Sequence, residues 1–461
     1  MTADISPPAS DPSSRFRFPV IGDLSSIDFN KPVQKVTAEL RHLGSGMIEQ
    51  PIGQPVVFLA DPALIDEVND DTRWEKHVGP SLIRLRRYIL GDGLFTAYSD
   101  EPNWRKAHNI MMPSFSRTAM TQYHETMVAA IGELIDGWNR KSAVRSWITI
   151  PADANRLTME IIARIGMGHS FSKLSDPREN DFIAAFLREL AYADRHTADI
   201  PQERRNQHHR DQTGIRRQVA DIVEVRRRSS TAGSTLDLLD VLLYTTDPDT
   251  GDSLDNDNII NQLLTLLVVG SETSANAIAF ALHFLSIHPD VAAQARAEID
   301  QFWPGEPFSN VLFGDIDKLT YLRRVVDETL RLWPAAPGYF RQARQDTTIG
   351  NGAHAFRAGD WVFVHLIAAH RAHAWGPDAN DFNPDRFMPD NIRRLPPHTY
   401  KPFGTGARAC LGRRFALHEI MLTLTAVLHS YDLEPRPGYC LSASEAMTLK
   451  PVDLQLRLQR R

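Results

Sequence analysis

A mainly α-helical fold with a small peripheral β-sheet is what this 461-residue sequence predicts. Three observations carry that expectation. Eight segments through the middle of the chain space their apolar residues as amphipathic helices do. One of them, 258–287, is apolar along most of its length. Strand signals are short and gather towards the two ends.

In chain order, MTADISPPASDPSSRFRFP is polar, rich in Pro and Ser, and lacks an apolar h-region. Residues 1–18 are therefore expected to be a flexible segment, neither signal peptide nor membrane anchor. Residues 19–461 are expected to form one domain, because no low-complexity linker or internal repeat divides them. Pro55-Val-Val-Phe-Leu59 is the first strand signal. Helical spacing follows over 118–140, 154–167, 181–197 and 212–228. The 258–287 helix has Asp255 or Asp257 as its cap and stops at Pro289. About 30 residues at ~1.5 Å each span roughly 45 Å, enough to cross the whole domain. Helices at 289–301 and 318–332 come next. Asn351-Gly352, between Thr347–Ile349 and Phe356, predicts a hairpin, and Trp361–Val364 is expected to continue its sheet. A last helix, 410–429, is expected to open at Cys410. Val452–Leu458 then alternates with period two as a closing strand.

Composition excludes several classes of function. Lys and Arg number 51 against 57 Asp and Glu, a net charge of −6, so the basic field of a nucleic-acid binder is absent. Two cysteines, Cys410 and Cys440, rule out a disulfide framework and a Cys-rich zinc ribbon. The apolar run around Leu266–Val269 is too short to span a bilayer. A soluble, cytoplasmic, bacterial-style monomer is expected.

The richest stretch is Phe403-Gly-Thr-Gly-Ala-Arg-Ala-Cys410-Leu-Gly412. Gly404 and Gly406 permit a tight turn and close backbone approach to something flat or large. A thiol at a helix N-terminus is biased towards the thiolate, which is a nucleophile or a metal ligand. Arg408 would hold an acidic group on the same ligand. The residues alone leave rivals open. A lone cysteine is commonly a buried inert residue. A nucleophile would need a His base, which no local pattern supplies. Gly404-x-Gly406-x-x-Ala409 matches the loose dinucleotide fingerprint, but Pro396, Pro397 and Pro402 precede it in place of a strand.

Three further constellations stand elsewhere. Glu328 and Arg331 share one helix face ahead of Trp333-Pro334, and Pro384-Asp-Arg386-Phe387 follows. Glu272-Thr273 interrupts the apolar 258–287 helix; locally, the hydroxyl has the option of bonding back to the preceding turn. Trp104 and His108 are spaced i, i+4.

Phe-Gly-x-Gly-x-Arg-x-Cys-x-Gly, matched here at every position, resembles the ligand loop of the cytochrome P450 family. The resemblance runs from about residue 50 to 455. Over 91–115 and 321–450 the chain looks most like the haem domain of self-sufficient bacterial fatty-acid hydroxylases. The resemblance implies a P450 fold whose long central helix crosses a haem b. It implies a haem-thiolate monooxygenase that uses O2 and electrons drawn indirectly from NAD(P)H. By it, Cys410 is the axial thiolate of the iron and Phe403 shields that sulfur. Thr273 would hydrogen-bond dioxygen, Glu272 would relay protons, and Gly270 would leave room for dioxygen. Trp104 and His108 would face one haem propionate and Arg408 the other, in the loop turned by Gly406, with Arg341 and His77 as further candidates. A Glu328–Arg331–Arg386 network would hold the loop.

The pocket carried over by the same resemblance comprises Phe95, Val269, Ala336, Gly338 and Met447, all apolar or small. Val269 stands where the family more often has Ala. An apolar substrate to be hydroxylated or epoxidised follows, fatty-acyl-like or natural-product-like. The hydroxylases hold the fatty-acid carboxylate with an Arg and a Tyr near the entrance strand; this chain has Pro55 and Leu59 there, so that anchor is expected to be missing. The chain ends 51 residues after Cys410, so no fused reductase is expected. Electrons would come from a separate ferredoxin- or flavodoxin-type donor and its reductase, docking on Arg393, Lys401, Arg413 and Arg414. The Arg-rich stretch Arg204–Arg228 reads as a solvated helix face, with docking of an acidic carrier protein bearing the substrate as the lesser reading. A peroxide-driven or non-oxygenase relative is the first alternative, opposed by the intact Glu272-Thr273. A haem-binding sensor is the second; the attached signalling domain expected of it is not seen.

Overall fold

A computed structural model describes residues 31–52, 54–176, 180–193, 200–229, 237–445 and 447–461. The expected flexible segment 1–18 lies outside the described residues, as do 194–197 of the expected 181–197 helix.

The helical middle is as the periodicity predicts. Helices run over Arg117–Ala143, Ile150–Met167, Asp181–Ala193, Gln202–Arg228, Asn256–Ile287, Pro289–Phe302, Thr320–Leu332 and Arg413–Ser430. The central helix, Asn256–Ile287, has 32 residues. Asp255 caps it, its Oδ1 accepting from the Asn258 N–H at 2.7 Å. This helix packs chiefly against Ile150–Met167 and Arg413–Ser430. By length and composition it alone among the described residues could cross a membrane, yet it is the buried core of the protein.

Helix Gln202–Arg228 starts ten residues before the expected 212. Its first turns carry almost no apolar residues, so periodicity had nothing to register. They are held by polar burial: His208 Nδ1 meets Glu189 Oε2 at 2.7 Å, with Tyr192 stacked on the imidazole.

The largest sheet has five strands in the order Met47–Ile52, Gln54–Leu59, Trp361–His365, Gly338–Ala343 and Trp74–Lys76. Gln54–Leu59 and Trp361–His365 pair in parallel, and the other pairs are antiparallel. Here one expectation fails. Thr347–Ile349 and His354–Phe356 form a hairpin, with Asn351 and Gly352 at positive φ, but as a separate two-stranded sheet. Gly359, at φ +89°, turns the chain so that Trp361–His365 enters the larger sheet instead. The closing strand also starts late, at Gln455, because Asp453 sits at φ +52°. From there Leu456 and Leu458 alternate inward as expected.

Candidate active site

Cys410 precedes the Arg413–Ser430 helix by three residues and does not open it; Gly412 is the cap. Gly404 and Gly406, at φ +66° and +68°, curl the loop so that the Cys410 N–H donates to Phe403 O at 2.8 Å. The sulfur is solvent-accessible, yet the surrounding protein is dense enough to push its pKa up. The Gly412 N–H and the Arg413 charge pull the other way. Accessible yet set in dense protein, the thiol has the Gly412 N–H and the Arg413 charge beside it to favour a thiolate.

The central helix supplies a second wall. Most of it is buried, but Val269, Gly270, Glu272 and Thr273 are half-exposed between buried Val268, Ser271 and Ser274. Thr273 Oγ1 donates to Val269 O at 2.9 Å, the back-bond that a mid-helix hydroxyl adopts. Gly270 brings two helices together. A Cβ there would stand 3.0 Å from Ile162 Cγ1, so the missing side chain lets the Ile150–Met167 helix approach. Behind this strip Glu419 is wholly buried with Ser274 facing it, and burial raises its pKa to about 8.

A cluster of cations gathers beside the loop. The Arg408 guanidinium lies 3.9 Å from the Trp104 ring centroid, and the His108 ring is 5.7 Å from Trp104. Arg408 donates long bonds to Leu94 O (3.4 Å) and Ser99 Oγ (3.3 Å), and its buried Nε has no partner. Sequence reasoning missed Lys76. It donates to Phe95 O and sits 5.1 Å over the Phe95 ring. Burial, then Arg408 and Arg86, push Lys76 down to about 7; burial and Arg341 push Arg408 down to about 9. The neighbouring carboxylates are engaged elsewhere: Glu101 pairs with Arg86, Glu75 with Arg344 and Asp71 with Arg341. Crowded cations without carboxylates of their own favour an anionic ligand. A lone Lys ending a three-residue strand carries no local signal; only the contact with Phe95 reveals it.

Arg341 and His77 are both held by protein partners. Arg341 donates from Nε to Val68 O (2.9 Å) and from Nη2 to Trp74 O (2.9 Å) and Asp71 Oδ1 (2.8 Å). His77 Nδ1 lies 2.7 Å from Gln342 Oε1, and its ring stacks on Trp361.

The pocket residues converge through backbone links. Leu94 N–H donates to Gln262 Oε1 of the central helix at 2.9 Å, which ties the loop carrying the exposed Phe95 to that helix. Leu449 N–H donates to Ala335 O (2.9 Å), and Asn276 Nδ2 to Thr448 Oγ1 (3.1 Å). These bonds bring Met447 towards Ala336 and the central helix. Val269, Phe403 and Met447 all pack against the main core. Gly338 also serves strand packing. A Cβ there would meet Val364 O at 2.2 Å and the Phe363 ring at 2.4 Å, so its absence lets two strands close. Leu59 is fully buried opposite Met47, and the side chain of Pro55 lies outside the described residues.

Glu328 and Arg331 form a wholly buried bidentate pair at 2.6 and 2.8 Å. Arg386 Nε lies 3.4 Å from Glu328, and the Asn383 N–H donates to the same carboxylate. The link to the ligand loop runs through His370. Arg331 donates to His370 O at 2.8 Å, while His370 Nε2 accepts from the Lys401 N–H at 3.1 Å.

An accessible thiol set in dense protein, cations with a partnerless buried Nε, and a half-exposed strip on a buried helix fit an iron porphyrin with two carboxylates. Cys410 would ligate the iron; Arg408, Lys76, Trp104 and His108 would meet the propionates.

A family model for cytochrome P450 matches residues 12–456. The bifunctional cytochrome P450/NADPH–P450 reductase of Bacillus cereus is 34% identical over 448 residues, covering 95% of this chain and 41% of that protein. Bifunctional cytochrome P450/NADPH–P450 reductase 1 of Bacillus subtilis is 35% identical, covering 96% and 42%. The chain thus spans about two fifths of the length of these curated relatives. The crystal structure of a cytochrome P450, CYP102L1, superposes with a TM-score of 0.91 at 56% identity, covering 96% of this chain and 98% of that one.

Proposed function

The chain belongs to the cytochrome P450 family, and on that footing we propose that it is a haem-thiolate monooxygenase acting on an apolar substrate, fatty-acyl-like or natural-product-like. Haem b, with Cys410 as its ligand, would supply the O2 activation by which one oxygen atom enters a C–H or C=C bond of the substrate and the other leaves as water, with two electrons and two protons taken up. The protein's part is to hold, orient and supply protons. Cys410 presents its sulfur from a loop that its own N–H bond to Phe403 O keeps curled. Thr273 holds a proton at Oγ1 on the half-exposed strip, and Glu272 beside it passes protons inward from solvent. Phe95, Val269, Ala336 and Met447 exclude water and orient the substrate. The carrying observation is that the accessible thiol shares its neighbourhood with the under-compensated cations Arg408 and Lys76.

Electrons would reach the site from a ferredoxin- or flavodoxin-type donor served by its own reductase, in the cytoplasm. Arg413 and Arg414 are exposed beside the ligand loop and suit an acidic donor. Lys401 adds to that face, while the charge of Arg393 is offset by Asp390.

The carbon-monoxide difference spectrum of the reduced protein tests this reading. A thiolate-type band together with NADPH-dependent turnover through a supplied donor is expected. An imidazole-type band would overturn Cys410 as ligand.

A further inference from the structure

Asp71 belongs to neither the thiol loop nor the cation cluster, yet it touches the backbone of the first and the partner of the second. It lies in the turn before strand Trp74–Lys76, a turn tied by its own hydrogen bonds. Asp70 Oδ1 accepts from the Thr72 N–H (2.9 Å) and hydroxyl (2.6 Å), and Asp70 O accepts from the N–H groups of Arg73 and Trp74. Three donors then fix Asp71 itself. Arg341 Nη2 donates to Oδ1 at 2.8 Å, Arg344 Nε to the backbone carbonyl at 3.1 Å, and the Ala407 N–H to Oδ2 at 3.0 Å.

The last contact is the one with consequence. Ala407 sits inside the short 3-10 turn Gly406–Arg408, which the Ala409 N–H closes onto Gly406 O. Holding the Ala407 amide therefore sets the backbone from which Arg408 projects and the turn that delivers Cys410. Gly406 shows how closely the carboxylate approaches: a Cβ there would stand 2.6 Å from Asp71 Oδ2. Its positive φ and this contact both demand glycine.

We propose that Asp71 is a positioning residue for the iron-ligating cysteine, a clamp that joins Arg341 to the Ala407 amide and fixes the loop from Gly406 to Cys410. It follows that Arg341 acts at Nη2 through Asp71. The inference rests on the haem-thiolate reading for what the loop carries. Its geometric core, the amide clamp, is measurable without that reading.

The test uses the full haem-loaded chain and two variants, Asp71→Ala and Asp71→Asn. One measurement is amide hydrogen exchange in peptides spanning 403–412 and, as control, 256–287. The other is the lifetime of the thiolate-type band in the reduced carbon-monoxide complex. Losing one hydrogen bond at a half-exposed site should speed loop exchange and band decay by about three- to tenfold in Asp71→Ala, with the control unchanged. Asp71→Asn keeps one acceptor oxygen where the clamp uses two and turns an NH2 donor on Arg341 or on the Ala407 N–H, so it should also speed loop exchange by about threefold or more. The proposal is overturned if loop exchange in Asp71→Ala equals the parent, or if exchange rises equally over 256–287. It is also overturned if loop exchange in Asp71→Asn equals the parent's, a criterion that stands even if Asp71→Ala fails to take up haem. A parent without a thiolate-type band would sink the functional reading and leave the exchange result to judge the clamp.

Discussion

The Arg408 guanidinium lies over the face of Trp104, 3.9 Å from the ring centroid, and joins the ligand loop to the Pro102–Met111 helix across some three hundred residues of chain. A desolvated cation–π contact of this kind is worth up to about 2 kcal/mol. Trp104→Ala should therefore release haem roughly tenfold faster, and Trp104→Phe less so. Transfer of haem to an apo-globin acceptor measures this; a Trp104→Ala rate equal to the parent's would remove the pair from haem retention.

Thr273→Ala should consume NADPH at near-parental rates while product per NADPH falls about tenfold or more. Thr273→Ser, which keeps a hydroxyl on the same helical face, should recover most of the yield. Product and NADPH counted in one reaction, with a supplied donor, decide it. Unchanged yield in the alanine variant would take proton delivery away from Thr273.

Removing one member of the buried Glu328–Arg331 pair strands the other charge in the core. Glu328→Gln or Arg331→Ala should cost about 3–5 kcal/mol, against about 0–1 kcal/mol for Arg393→Ala at the exposed Asp390 pair. Denaturant midpoints of the three variants measure the contrast.

Glu419 gives stability a pH dependence. Its folded pKa, raised to about 8 by burial, lies above the unfolded value near ~4.3. Between those two values the folded chain keeps a proton that the unfolded chain has released. Stability is therefore lost as pH rises through that window, by at most ~1.4 kcal/mol per unit. Glu419→Gln should lack this component, so its stability relative to the parent should improve between pH 5.5 and 7.5. Denaturant unfolding at both pH values checks the sign; a difference from the parent that does not change with pH would mean that Glu419 is ionised in the folded protein.

With Leu59 buried in the first sheet where an anchoring side chain would stand, a long-chain fatty acid and its alcohol should bind within about threefold of each other. Spin-state titrations of the haem spectrum compare them. Much tighter binding of the acid would reveal an anchor elsewhere in the pocket.

Most of the fold was legible because its signals are local. Periodicity gave the Asn256–Ile287 helix to within two residues, and residue type narrowed its cap to Asp255 or Asp257, of which the fold uses Asp255. Periodicity failed at 202–211, where burial is polar, and at Trp361–His365, whose strand partner is set by a turn at Gly359. Within the site, the loop around Cys410 was legible as a motif. Lys76 was not, since its lowered pKa comes from burial and then from Arg408 and Arg86, which are distant in sequence or on another element.

By itself, then, the sequence determined the helical class, the long core helix, and a cysteine in a glycine-turned loop. Each of these rests on spacing or conformational freedom that neighbouring residues share. Tertiary structure alone decided which small residues make room for what, since Gly270 yields to Ile162 and Gly338 to Phe363. It also decided which charges crowd together, and that Asp71 reaches an amide 336 residues away. Such contacts depend on where remote segments meet, and a charge takes its meaning from the partners that folding brings to it.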